Sequence, residues 1–258
     1  MKRLHLFEFE DLEWFPKFLR NYVTDFLQFV SNKFDIYKPI IPILQKGLEK
    51  VQTPQIVDIA SGGGGGWLAL GKHLFAKKPD LKVILTDYFP NISAFRQTVN
   101  SGDENFEFIE QSVDACDVPQ NLKGLRTQFL SFHHFSPEKA VKILQNAVDN
   151  NAPIAIFEAQ ERSFISIIAM FIAPINVLVS TPFIRPFSPG RIVFTYLIPV
   201  VPIVVCWDGI VSALRTYSVD EMKDLTAKAD ISKKFEWEIG RVEQRGLPVL
   251  YLLGYPKN

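Results

Sequence analysis

This chain has very little cysteine and no surplus of charge. Its two cysteines, Cys116 and Cys206, are too few for a disulfide framework or a cysteine-built metal cluster, and they read as reduced thiols. No metal site is expected. Lys+Arg and Asp+Glu both number 28, so the formal net charge is zero. A protein of that balance lacks the basic stripe that nucleic-acid binding requires. An apolar leader is missing as well. Lys2 and Arg3 are followed by Glu8, Glu10, Asp11 and Glu13, which leaves no apolar core for a signal peptide. These absences together predict a cytoplasmic protein. With 258 residues, 47% of them hydrophobic, the chain can build one large α/β domain or two small ones.

The most informative stretch is Ile56-Val-Asp-Ile-Ala-Ser-Gly-Gly-Gly-Gly-Gly-Trp67. A β-branched run ends on Asp58, five glycines follow, and Leu68, Leu70, Leu74 and Phe75 then take up a helical rhythm. Strand, glycine loop and helix in that order place free backbone N–H groups and a positive helix end beside a cavity at the edge of a sheet. Glycine serves there because it can adopt φ > 0 and has no Cβ to hold a ligand off. A flexible linker is the alternative, but linkers are usually diluted with Ser, Thr or charge. Gly65 and Gly66 are expected to let Trp67 and its helix sit tightly on strand 1.

Residues 1–52 read as a helical cap. Phe15, Phe18, Leu19, Tyr22, Phe26, Leu27 and Phe29 recur at three- and four-residue steps, the pattern of one apolar helical face. Pro39 and Pro42 break the rhythm before a short helix over 43–51. The acidic and aromatic cluster Glu8 to Trp14 reads first as surface capping, with a place in a ligand site as the alternative. From residue 53 onward, strands are expected at 55–59, 81–87, 106–110, 127–132 and 153–157, closed by Glu158. Helices are expected at 66–76, 91–99 and 137–150, the last with Ser136 as N-cap and Pro137 in its first turn. Strands alternating with helices imply a parallel, doubly wound sheet. Asp87 stands 21 positions after Gly66, about where such a fold puts the carboxylate that binds ribose hydroxyls. Ser218-Val-Asp-Glu221 is a capping box opening a helix to about 229. Strands at 235–242 and 249–255 follow, and the six residues Glu243 to Pro248 between them are too few for a crossover, so this pair is antiparallel.

These residues resemble the class I S-adenosylmethionine-dependent methyltransferases, over 55–158 and 218–255. The resemblance implies a three-layer αβα Rossmann-like fold. Its seven-stranded, mostly parallel sheet would end in an antiparallel C-terminal hairpin, with the N-terminal helices and an apolar insert at about 160–217 added. Val57-Asp-Ile-Ala-Ser-Gly-Gly-Gly64 looks like the family's first motif, with Ala60 where its first glycine is usual. By the resemblance the cofactor is S-adenosyl-L-methionine. Asp58, Ala60, Ser61, Gly62 and Gly64 would hold its methionine part, and Asp87, with Tyr88 and Asn91, its ribose. Asp114 and Ala115 of Ser112-Val-Asp-Ala115 would meet the adenine. Phe132 and His133 of Phe132-His-His-Phe135 would flank the methyl donor. A nicotinamide loop is also compatible with Gly64-Gly-Gly-Trp-Leu-Ala69 taken alone. However, Asp58 at the tip of strand 1 would repel a pyrophosphate and suits the ammonium of a methionine group.

Methyl transfer needs in-line approach, so positioning supplies much of the rate, and a general base helps with hydroxyl or amine acceptors. His133, His134 and Glu158 are the candidates, with Glu161 as a rival. Cys116 lacks a neighbour that would lower its pKa. Between strand 5 and the capping box, Ser163–Ile184 and Ile192–Trp207 contain no charged residue. They read as two apolar helices joined by a basic turn through Arg185 and Arg191. A hairpin spanning a bilayer would have to carry both arginines across. The insert is therefore expected to be a lid or homodimer face, with a shallow anchor on the inner face of a membrane as the alternative. Either implies a small, lipophilic or aromatic methyl acceptor. A protein or nucleic-acid acceptor is disfavoured, since neither a basic stripe nor an Asn-Pro-Pro-Tyr-like strand end is present.

Overall fold

Five short strands alternate with helices and lie parallel in the order β3-β2-β1-β4-β5. They are β1 (Gln55–Asp58), β2 (Lys82–Leu85), β3 (Phe106–Phe108), β4 (Leu125–Phe129) and β5 (Ile154–Glu158). The computed structural model describes residues 1–101, 104–244 and 246–257, with Gln244 described by its backbone alone. Two long strands, β6 (Phe235–Gln244) and β7 (Leu247–Pro256), complete the sheet, which ends β5-β7-β6. β7 pairs antiparallel with both β5 and β6. The connection is shorter than the six residues the sequence suggests, because pairing continues to Gln244↔Leu247. Gly246 at φ 81 lets the chain turn back there, while Arg245 lies outside the described residues.

β4 starts and ends two or three residues earlier than its apolar pattern predicts, for a backbone reason at each end. Gly124 turns at φ 129, where a Cβ would stand 2.3 Å from the Gln55 carbonyl oxygen, so the strand begins directly after it. Leu130 adopts φ 48, which breaks the extended run and sends Phe132–His134 into a short 3-10 turn.

Helices cover both faces of the sheet. On one side lie α2 (Ile41–Leu48), α3 (Trp67–Phe75) and α4 (Ile92–Ser101). There Leu44, Trp67, Leu70, Leu74 and Phe95 pack on Ile56, Val83, Leu125 and Phe157. On the other side are α5 (Pro137–Asp149) and α10 (Val219–Ala229), which bring Ile143, Leu144, Met222 and Leu225 against Ile59, Ile154, Ile156 and Leu252. Ser136 caps α5 as its sequence predicts, and both bonds of the Ser218/Glu221 capping box are formed.

A third apolar cluster stands apart from the sheet and joins the N-terminal helix α1 (Lys17–Lys33) to the insert. The insert consists of α6 (Phe164–Met170), α7 (Ala173–Ser180), α8 (Pro189–Ile192), a π-helical turn (Val193–Leu197) and α9 (Val200–Arg215). Pro174 and Pro189 sit in the first turns of α7 and α8, where the missing N–H is harmless. α9 runs well past the apolar stretch. Its polar second half faces the N-terminal segment, where Asp208 accepts hydrogen bonds from the backbone N–H of Phe9 and Glu10 (2.8 and 3.3 Å). The expected lid over a site is not seen: Phe164–Phe183, long and apolar enough by composition to cross a membrane, is only 11% buried.

Candidate functional site

The carboxyl ends of β1 and β2 are tied together by the glycine loop. Ser61 donates its N–H to the Thr86 carbonyl and its hydroxyl to the Asp58 carbonyl, both at 2.9 Å. Thr86 returns its own hydroxyl to the same Asp58 oxygen. The loop then turns through Gly62 (φ 56) and Gly64 (φ 91). At Gly64 a Cβ would meet Thr98 Oγ1 at 2.9 Å and Gln28 Nε2 at 3.0 Å, so glycine is required by both conformation and space. Ala60 holds φ 56 without being glycine, a strained conformation for an L side chain. Gly66 is pressed not by strand 1, as expected, but by Tyr37 from the N-terminal region, which has a ring carbon 2.6 Å from where a Cβ on Gly66 would stand.

Above this loop lies a cavity of about 660 Å³, within the roughly 300–1,000 Å³ range of small-molecule sites. Ala60, Ser61, Gly62, Asp87, Tyr88, Asn91, Asp114, Ala115 and His134 all line it. Of the residues expected there, Asp58, Gly64, Phe132, His133 and Glu158 do not. At the tip of β2, Asp87 accepts from the N–H groups of Gly62 and Phe89, each at 2.7 Å. Burial raises its carboxyl above the ordinary value against those two bonds. The Asp114 carboxylate accepts from Cys116 N–H (2.8 Å), which closes the turn after β3. Burial, and then Asp114, push the Cys116 thiol up, so it is no nucleophile at neutral pH.

Asp58 points into the protein. It is buried, accepts from the Thr127 hydroxyl at 2.6 Å, and is raised by burial to about 6. Instead of reaching a ligand directly, it joins the tips of β1 and β4. Glu158 is likewise committed: one oxygen accepts from the N–H of Phe132 (2.7 Å) and His133 (3.2 Å), and the other from His133 Nδ1 (2.7 Å). It fixes the 3-10 turn and the His133 ring. Glu161 pairs with Arg241 in an exposed position away from the cavity. Phe132 is buried against Tyr217.

His134 is the histidine at the cavity. Its ring lies against His133 with centroids 4.3 Å apart and the planes tilted by 33°, and Nδ1 donates to Asp11 at 2.8 Å and stands 3.4 Å from Glu8. Burial would lower this imidazole, but Glu8 and Asp11 overcome it and raise it to about 10. His134 is therefore a cation at neutral pH and not a general base. Burial opposes ionisation of Glu8 and Asp11 too. The histidines and Arg215 outweigh it for Glu8, as do His134 and Arg215 for Asp11, and both carboxyls are held below their usual range. Arg215, at the end of α9, is 2.8 Å from Glu8 and 2.5 Å from Asp11.

The N-terminal segment is thus part of the site and more than a surface cap. Glu10, Asp11 and Glu13 line the cavity, as do Arg20, Thr24 and Gln28 of α1. Asn32 of α1 serves as the N-terminal cap that α3 lacks in its own sequence: its carbonyl accepts from Ala69 N–H, and its amide donates to the Gly65 carbonyl, both at 2.8 Å. Its position near the end of an amphipathic helix carries no sequence sign of that role.

No family model matches the chain, and no curated protein matches it by sequence. Solved structures do match in shape. The methyltransferase domain of a bacterial Hen1 protein (CtHen1-CN) aligns over 85% of this chain and 99% of its own, at 9% identity and a TM-score of 0.51. The pyocyanin biosynthetic protein PhzM aligns over 86% of this chain at 14% identity and a TM-score of 0.50. The S-adenosylmethionine-dependent methyltransferase SibL aligns over 89%, at 14% identity and a TM-score of 0.49. This chain spans 55% of the length of each of the last two. The seven-stranded order with its antiparallel last strand and the shape of the Hen1 domain agree: this chain has the fold of the class I S-adenosylmethionine-dependent methyltransferases.

Proposed function

We propose that this chain binds S-adenosyl-L-methionine in the 660 Å³ cavity and transfers its methyl group to a small lipophilic acceptor drawn from a membrane surface. The observation that carries the reading is the convergence of the glycine loop, Asp87 and the Asp114-Ala115 turn on one cavity in this fold. The residues fit the cofactor. At Gly62 and Gly65 the nearest atom to an added Cβ is 3.7 Å away or beyond 4 Å, so the loop backbone is open to a ligand. Each Asp87 oxygen already accepts one N–H and retains a lone pair for a ribose hydroxyl. Tyr88 and Asn91 stand beside it, and Asp114 and Ala115 border the place for the adenine. Acids at strand tips suit a sulfonium donor that carries no phosphate.

When bound, the donor supplies an electrophilic methyl group. The chain supplies position, through a cavity closed by α1 and the Glu8–Glu13 segment. It also supplies His134 and Arg215 at the cavity wall, both held in place by Glu8 and Asp11. With the proton of His134 held by Asp11 and His133 buried on Glu158, neither ring is free to act as a base. That observation favours a second reading, a cofactor-binding scaffold without turnover.

The acceptor class follows from the insert. Ile165, Leu197 and Phe164 are 81%, 76% and 72% exposed, and Phe171, Ile175, Val179, Phe183 and Ile203 are more than half exposed. Phe18 joins them through its contact with Phe194 (5.2 Å). A protein interface has a polar rim and mixed composition, whereas a run of 22 residues from Ser163 to Ile184 without charge matches the hydrocarbon boundary of a bilayer. The inner side of that run is held to the protein through Val177, packed with α1 and α9, which suits a helix lying in the interface. From exposed Ile203, α9 leads to Arg215 at the cavity wall, about 18 Å along the axis.

Calorimetry with S-adenosylmethionine and with its demethylated product tests the cofactor. Binding of both is expected, with Asp87→Ala weakening it by about 2–4 kcal/mol. No binding of either at millimolar concentration overturns the reading. Release of demethylated cofactor in the presence of a lipid extract separates the enzyme from the scaffold. Sedimentation with liposomes tests the surface, and a stable dimer that leaves liposomes unbound would assign the apolar face to a second copy instead.

A further inference from the structure

The Glu8–His133–His134 cluster carries no sign in the sequence, where no metal site is expected. Three carboxylates (Glu8, Asp11 and Glu158) meet one guanidinium (Arg215) and two imidazoles, of which His134 is a cation, a formal surplus of one negative charge. Asp208 lies on the same side, bound to the N–H groups of Phe9 and Glu10. His5 approaches from the other side of Arg215 at 3.3 Å. Glu8 and His133 are each about 1% exposed at the side chain.

His133 donates from Nδ1 to Glu158, with Gln160 Nε2 3.4 Å from the same nitrogen. Its Nε2 is buried and has no hydrogen-bond partner. It faces Glu8 Oε1 at 3.9 Å, an oxygen that has the Arg215 guanidinium 2.8 Å away on its other side. The other Glu8 oxygen accepts from the Ser212 hydroxyl at 3.1 Å and lies 3.4 Å from His134 Nδ1. His133 Nε2 is a buried polar atom left without a hydrogen bond, and 3.9 Å from it to Glu8 Oε1 is too long for one but leaves room for an ion that both atoms ligate. With metal–ligand bonds of about 2.0–2.2 Å, tetrahedral neighbours stand roughly 3.4 Å apart. The three donor atoms lie within 4.8 Å of one another.

The geometry points to a divalent transition-metal site, with zinc as its natural occupant, built from Glu8, His133 Nε2 and His134 Nδ1. Two imidazoles and one carboxylate are a ligand set that leaves a coordination position open, and one of the ligands, His134, also lines the cavity. Glu158 behind His133 makes the carboxylate–histidine–metal arrangement that orients such ligands. The cation replaces the proton now shared between His134 and Asp11, and binding releases it. The site stands on its own atoms, whether or not the cavity takes a methyl donor.

The metal-free 258-residue chain is titrated with Co²⁺, followed by its visible ligand-field bands, with Zn²⁺ as competitor. One equivalent saturates the site and Zn²⁺ displaces it. His134→Ala, at the cavity wall, and Glu8→Gln abolish the bands, and Glu158→Gln weakens binding roughly 10–100-fold. His73→Ala, on the surface of α3 beside Asp35, leaves the titration unchanged. Far-UV circular dichroism establishes that each variant is folded. A folded wild-type chain that binds no Co²⁺ at millimolar concentration, or bands that survive His134→Ala, overturns the site. Calorimetry with S-adenosylmethionine is independent of this result, so failure of either assignment is distinguishable from failure of the other.

Discussion

Helices α5 and α6–α7 contain similar apolar residues and put them to opposite use. α5 sets Ala140, Ile143, Leu144 and Ala147 on one side, at most 1% exposed, and turns Glu138, Lys139 and Lys142 outward. α6 has no buried residue, and in α7 only Val177 is buried. The apolar stripe of α5 has its partner in this chain, the β5 and α10 face of the sheet. The apolar surface of α6–α7 meets α9 and α1 along a narrow line and leaves the rest uncovered. A stripe with charge opposite is written for a core, and an apolar surface without charge is written for surroundings the chain does not supply.

That contrast can be broken most sharply by charge. Ile165→Asp combined with Leu197→Asp should weaken liposome binding by about 3–6 kcal/mol, the value of two large apolar side chains leaving hydrocarbon. Thermal stability should stay within roughly 0.5 kcal/mol. A fall in melting temperature without loss of sedimentation would mean the face is core after all. The mirror experiment is Leu144→Ala in α5. It should cost about 2–5 kcal/mol in denaturant unfolding and leave liposome binding unchanged.

A smaller effect separates the sheet tip from both helices. The Asp58 carboxyl is raised by burial to about 6. A folded-state value above the unfolded one contributes stability that is full below about pH 4 and lost as pH rises through about 6. Asp58→Asn keeps an acceptor for the Thr127 hydroxyl. It should therefore raise the stability of the ligand-free chain by up to about 3 kcal/mol at about pH 7 and change nothing below about pH 4. Equal melting shifts at both pH values would show that Asp58 is not titrating. The smallest effect is expected at Ala60, whose φ of 56 is a conformation glycine adopts freely. Ala60→Gly should stabilise by about 1 kcal/mol, measured by urea unfolding.

Local chemistry made much of this legible. The alternation of strands and helices, the Ser136 and Ser218 caps, Asp87 at the tip of β2 and Asp114 in the turn after β3 follow from residues a few positions apart, and the folded chain has them where periodicity and capping chemistry put them. The glycine loop belongs with these, since φ > 0 at Gly62 and Gly64 is a property of the residue type. The tight packing at Gly66 does not, because Tyr37 arrives there from a separate element.

What escaped the sequence depends on partners far apart along the chain. Glu8 meets Arg215, 207 positions on, and His134 meets Asp11 across 123. Asn32 caps a helix that begins 35 residues later. Asp58 and Glu158 sit at strand tips as expected, but only the crossing of β1, β4 and β5 decided that both turn inward, to Thr127 and to His133. The sequence by itself determined the elements, the class of sheet and the loop that opens on the cavity, because those follow from short-range propensity and period. The tertiary structure alone decided the charge state of His134, the buried approach of His133 to Glu8, and the outward face of the insert, because each depends on which distant side chain burial brings within a few ångströms.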